Sequence, residues 1–128
     1  MLSKRLAAAL AITVFATSSA HAVDATLQLD LAGQGSDFER RNVLYDCSEG
    51  EPFDVVYINA APNFLALVPI ADEAERMVFA SVVSGSGVRY ASGHWIWWTQ
   101  GVDASLYDTA LGDDAEPVLT CSEFIQTP

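Results

Sequence analysis

Apolar residues in this chain recur at every second position instead of every third or fourth. Leu27, Leu29 and Leu31 alternate with Thr26, Gln28 and Asp30, and Val43, Tyr45 and Cys47 alternate with Asn42, Leu44 and Asp46. A period of two sends successive side chains to opposite faces, so such segments predict strands with one buried face. Phe53 to Asn59 and Phe64 to Pro69 form a predicted hairpin across Ala60-Ala61-Pro62-Asn63, whose Pro and Asn suit a tight connection. Further strands are expected over Arg76 to Val83, Gly87 to Ala91, His94 to Gln100, Ala104 to Tyr107 and Pro117 to Cys121. Asp72 to Met77 reads as a charged hairpin loop, and no segment carries a convincing helical period. The fold class is therefore all-β: a sandwich or a small antiparallel barrel of about eight strands. The barrel is favoured, because closure removes exposed edges.

Residues 1 to 22 stand outside this pattern. Lys4 and Arg5 precede an apolar run from Leu6 to Ala16, and Ala20-His21-Ala22 has the small-x-small form that signal peptidase reads. The run is shorter than the ~20 residues of a spanning helix. We expect a cleaved signal peptide and a single domain over 23 to 128, exported to the periplasm in a Gram-negative cell. No cysteine follows the cleavage site, so no lipid or membrane anchor is expected.

Two cysteines in an exported small domain predict one disulfide, Cys47 to Cys121. Closing a loop of about 75 residues is worth roughly 4 to 5 kcal/mol in the chain-entropy account, an upper figure. Beyond the leader, Arg40, Arg41, Arg76 and Arg89 are the only basic side chains apart from His94, set against 17 acidic ones. Such a surface repels nucleic acid and favours a cationic partner, although acidity also keeps a secreted protein soluble. Nothing in the sequence specifies an oligomeric state.

Candidates for chemistry are few. His94 is the only histidine past the leader and has no nucleophile at a recognisable spacing, so it reads as a surface strand residue and the protein as no enzyme. Asp113, Asp114 and Glu116 match no defined oxygen cage, and one histidine cannot complete a zinc site, so no metal or cofactor is expected. In His94-Trp95-Ile96-Trp97-Trp98, alternation puts Trp95 and Trp97 on one face and Trp98 with Ile96 on the other. At least one tryptophan therefore faces outward or lies under a loop. A sugar-stacking platform is one reading, and a thick barrel wall is the plainer one. Ser84-Gly85-Ser86-Gly87 lacks the lysine and helix of a phosphate loop. Its small polar residues instead suit a protruding loop able to enter a partner's cleft.

These residues resemble the MliC/PliC inhibitors of C-type lysozyme. Ser86-Gly87-Val88-Arg89-Tyr90 is similar to that family's SGxxY loop, and Trp98-Thr99-Gln100-Gly101 with Ala104 and Leu106 to its WxKGxxAxL segment. Tyr45 two residues before Cys47, and the late Cys121, also agree. The resemblance implies an eight-stranded barrel carrying the Cys47–Cys121 disulfide. It also implies an inhibitory loop in which Ser86 reaches the lysozyme carboxylates, Gly87 belongs to the tip and Tyr90 braces the loop. Gln100 would be the second inhibitory position, with Arg89 an accessory cation on the face opposite Tyr90. Family members usually carry Lys where this chain has Gln100, a loss of charge worth roughly one to three orders of magnitude in affinity. The expected action is competitive blockade of the lysozyme cleft. Its rivals are a divergent barrel that binds glycan or an envelope protein, and a structural envelope protein.

Overall fold

The computed structural model describes residues 38–125. The signal peptide expected over residues 1 to 22 and the strand expected over Thr26 to Leu31 both lie outside these residues. Eight strands follow in order: β1 Phe38–Cys47, β2 Phe53–Ala60, β3 Asn63–Val68, β4 Met77–Val82, β5 Val88–Ser92, β6 Trp95–Gln100, β7 Asp103–Asp108 and β8 Leu119–Glu123. Each pairs antiparallel with its neighbours in the chain, and β1 pairs with β8 as well as β2, which closes a barrel. The all-β barrel expectation holds, and the sandwich is excluded.

Alternation explains which residues fill the barrel. On β6, Trp95 and Trp97 turn inward and Trp97 is fully buried, while Ile96 and Trp98 turn outward. Val43, Val55, Val68, Phe79 and Leu106 pack the same interior from other strands. Burying side chains of this size contributes about 1.5 to 3 kcal/mol each. Two hydrogen bonds link polar atoms of the core: the Trp97 indole N–H donates to the Tyr57 hydroxyl at 2.8 Å, and the Tyr57 and Tyr45 hydroxyls share a bond at 2.8 Å. Tyr45 also meets Trp97 edge-on, with ring centroids 5.2 Å apart.

Cys47 and Cys121 are directly opposed on β1 and β8 and form a disulfide, as expected. The covalent link therefore lies on the seam where the two ends of the sheet meet. Its sequence separation of 74 makes it a long-range staple.

Four local expectations need correction. β1 begins at Phe38, earlier than Val43, because Phe38 to Asn42 are all exposed and show no apolar alternation; pairing with β2 makes them a strand. His94 is not in a strand: with Gly93 it forms the turn between β5 and β6, where its Nδ1 lies 2.6 Å from Asp108 Oδ1. Strand limits elsewhere move by one or two residues, since backbone pairing, not apolar pattern, sets the ends. A single 3-10 turn, Thr109–Leu111, follows β7, nucleated by the Asp108 carboxylate accepting from the Ala110 N–H. The segment from Ala71 to Arg76 is a charged turn, as read from the sequence.

Candidate functional site

The connection between β4 and β5 rises from the barrel rim and ends in Ser84-Gly85-Ser86-Gly87. It is short and polar, and its shape is imposed from below by β6. The Trp98 indole N–H donates to the Ser86 carbonyl oxygen at 2.9 Å, and the Ser84 hydroxyl donates to the same oxygen at 2.5 Å. Two donors on one carbonyl hold the tip in a defined position while leaving Ser86 exposed.

Gly87 is the pivot of the loop. Its φ of +60° is a left-handed conformation that costs an L side chain roughly 1 to 2 kcal/mol. Space forbids a side chain as well: a Cβ there would collide with the Thr99 carbonyl oxygen and come within 2.8 Å of Gln100 Cγ. The loop thus lies flat against the end of β6, and Gly87 is in contact range of Gln100. Gly85 meets nothing within 4 Å, so only one of the two loop glycines is sterically required.

Gln100 ends β6 and is exposed beside the loop. After it, the two-residue turn Gly101-Val102 reverses the chain into β7, with Gly101 at φ +61°. Ser86, Gly87 and Gln100, drawn from two separate sequence motifs, therefore form one surface at one end of the barrel. Tyr90 lies beneath that surface, lining one cavity with Gly87. It is buried in the interior, its ring 5.7 Å from that of Tyr57, and desolvation holds its hydroxyl above the usual tyrosine pKa. Arg89 points to the outer face, its guanidinium 5.3 Å from the centre of the Trp98 ring, a cation–π contact.

Trp98 is the residue whose part in the loop the motif reading did not assign. Alternation already placed it on the outer face or under a loop; what it touches there required the fold. Its ring supports Arg89 on the barrel wall, and its N–H supports Ser86 on the rim.

Among the described residues no group of three or more His, Cys, Asp or Glu side chains is arranged to hold a metal ion. His94 is engaged with Asp108, whose carboxyl is held below its usual range by that hydrogen bond. It lies in the turn at the start of β6, whereas the loop contacts the end of that strand.

The barrel and its rim have counterparts among known proteins. The family profile described as "Membrane-bound lysozyme-inhibitor of c-type lysozyme" (MliC) matches residues 45–114, a span that includes the loop, Trp98 and Gln100. A Pseudomonas aeruginosa protein named membrane-bound lysozyme inhibitor of C-type lysozyme is 36% identical over 120 residues, covering 92% of this chain and 94% of its own. A Cupriavidus necator protein of the same name is 35% identical over 123 residues, covering 93% and 90%. The solved structure of Pseudomonas aeruginosa MliC in complex with hen egg white lysozyme superposes with a TM-score of 0.63 at 35% identity, covering 79% of this chain and 99% of that one. With the profile spanning more than half of the chain and relatives aligned over nearly all of it, this protein belongs to the MliC family of lysozyme inhibitors.

Proposed function

We propose that this protein inhibits C-type lysozyme by placing the Ser84–Gly87 loop in the enzyme's substrate groove. The observation that carries the reading is the rim geometry: an exposed Ser86 on a loop fixed by Trp98 and Gly87, with the Gln100 amide alongside. That a relative was crystallised with hen egg white lysozyme supports the same partner class.

The chemistry is occupation without turnover. Lysozyme works with two carboxyl groups, one kept protonated by its surroundings. The Ser86 hydroxyl donates and accepts, and the Gln100 amide does both through separate atoms, so together they can satisfy a protonated and an ionised carboxyl. A pre-ordered loop binds with little loss of conformational entropy. The acidic surface adds long-range attraction for a cationic enzyme, raising the association rate in a salt-dependent way.

The family's name describes its members as membrane-bound. For this chain we propose export and release as a soluble periplasmic protein, on the strength of the Ala20-His21-Ala22 site and of a fold whose two cysteines are consumed in one disulfide.

The deciding experiment titrates the oxidised protein, residues 23 to 128, against a cationic C-type lysozyme at low and high salt, reading cell-wall lysis. Saturating, competitive inhibition that weakens with salt and with Ser86→Ala supports the proposal. Folded protein that fails to inhibit in large excess at low salt overturns it.

A further inference from the structure

We propose that the barrel mouth beside the rim loop is a binding site for a single neutral sugar ring. At this end the inward-facing residues of β1, β2, β5, β6 and β8 enclose a cavity of about 280 Å³. Tyr45, Tyr57 and Tyr90 form its buried floor, and Arg41, Asn59 and Glu123 stand around the opening. An eight-stranded barrel is just wide enough to be filled by side chains or to hold one small ligand. Here it is filled below the tyrosines and open above them.

Hydrogen-bond counting shows that the floor is incomplete. The Trp97 N–H can only donate, so the Tyr57 oxygen accepts it. The Tyr45 and Tyr57 hydroxyls carry one hydrogen each and share one bond, which uses one of the two. Whichever of them donates, one phenolic hydrogen remains with no acceptor among the described residues. Tyr90, only 6% exposed, has no hydrogen-bond partner among them either. Hydroxyls on largely buried rings thus border one cavity with hydrogen-bonding capacity to spare, available to a ligand seated there.

Charge and size select the ligand. Arg41 and Glu123 neutralise one another across a 3.2 Å ion pair, and the phenols are uncharged, so the mouth has no net charge with which to capture an ion. It does hold both donors and acceptors, including the Asn59 amide and the Thr99 hydroxyl, together with the apolar faces of Tyr57 and Tyr90. Alternating hydroxyls and C–H faces are the surface of a neutral sugar. The volume falls below the ~300 to 1,000 Å³ of drug-sized sites, which admits one ring and not a chain.

The test is a titration of the oxidised, isotope-labelled protein with N-acetylglucosamine, glucose and acetate, followed by amide shifts. The expected result is saturable shifts at Asn59, Tyr90 and Gly101 with either sugar, at a dissociation constant on the order of millimolar. Acetate is expected to give none. Tyr90→Phe removes only the hydroxyl and should weaken binding at least about fivefold. Asn59→Ala, outside the core, is the second variant and should act in the same direction. Absence of saturable shifts with both sugars overturns the proposal. So does saturation by acetate alone, mapping of the shifts to Trp98 and Tyr107 on the outer wall, or unchanged affinity in both variants.

Discussion

The Trp98 indole N–H reaches across twelve residues of sequence to the Ser86 carbonyl oxygen at 2.9 Å, tying the rim loop to the wall of the barrel. Because that bond lies on the outside, it organises the loop without belonging to the core. Trp98→Phe keeps a smaller aromatic ring on the wall beside Arg89 and deletes the donor. A hydrogen bond of this kind contributes about 0.5 to 1.5 kcal/mol, so inhibition constants should rise roughly threefold to tenfold. The thermal midpoint should change little. A loss of stability with unchanged inhibition would show that Trp98 serves the wall and not the loop.

The two loop glycines separate steric need from composition. Gly87→Ala puts a methyl group against the Thr99 carbonyl at φ +60°, so the loop must leave β6. Inhibition should fall by about tenfold or more while the barrel still folds. Gly85→Ala meets open space and should be nearly neutral. Measuring lysozyme inhibition and circular dichroism for both variants gives the contrast its own control.

Gln100→Lys tests the departure from the family's usual pattern. Gln100 is exposed beside the loop, so the longer side chain needs no repacking. Facing the lysozyme carboxylates, a lysine should tighten inhibition by about one to three orders of magnitude, with a steeper salt dependence. Equal affinity for both residues would mean that the amide already supplies what the site requires.

Much of this was legible before the fold was known, for identifiable reasons. Period-two alternation in Val43, Tyr45 and Cys47 and in the Trp95–Trp98 run reports burial directly, so strand faces could be read off. The disulfide followed from there being two cysteines in a small chain read as exported. What alternation cannot report is pairing without burial, so the exposed start of β1 from Phe38 to Asn42 went unread. Neither could it show that Trp98, His94 and Arg89 each find partners on neighbouring strands or turns, because those contacts are set by register. The motif match brought Ser86 and Gln100 together as a pair; that Gly87 touches Gln100 is a fact of three dimensions.

Reducing the disulfide should open the seam between β1 and β8. The bond joins directly paired residues separated by 74 positions, so its loss frees a long loop in the unfolded chain. Cys47→Ser with Cys121→Ser should cost about 2 to 5 kcal/mol, visible as a lower denaturation midpoint in urea. An unchanged midpoint would mean that strand pairing alone closes the barrel.

Alkaline titration should expose the tyrosine floor. Burial pushes the hydroxyls of Tyr45, Tyr57 and Tyr90 above the ordinary value of 10.0, desolvation being the largest cause for each. The folded state therefore holds these protons more tightly than the unfolded chain. Their contribution to stability is complete below about pH 10 and declines as pH rises beyond it, by at most about 1.4 kcal/mol per pH unit for each ring. The ultraviolet phenolate band of these three rings should appear together with loss of the near-ultraviolet circular dichroism, as one cooperative step. Urea midpoints should fall progressively above pH 10, and Tyr90→Phe should make that decline shallower. Phenolate absorbance that develops fully near pH 10 in protein with intact circular dichroism would show that the floor is open to water, and would remove the desolvation on which the raised values rest.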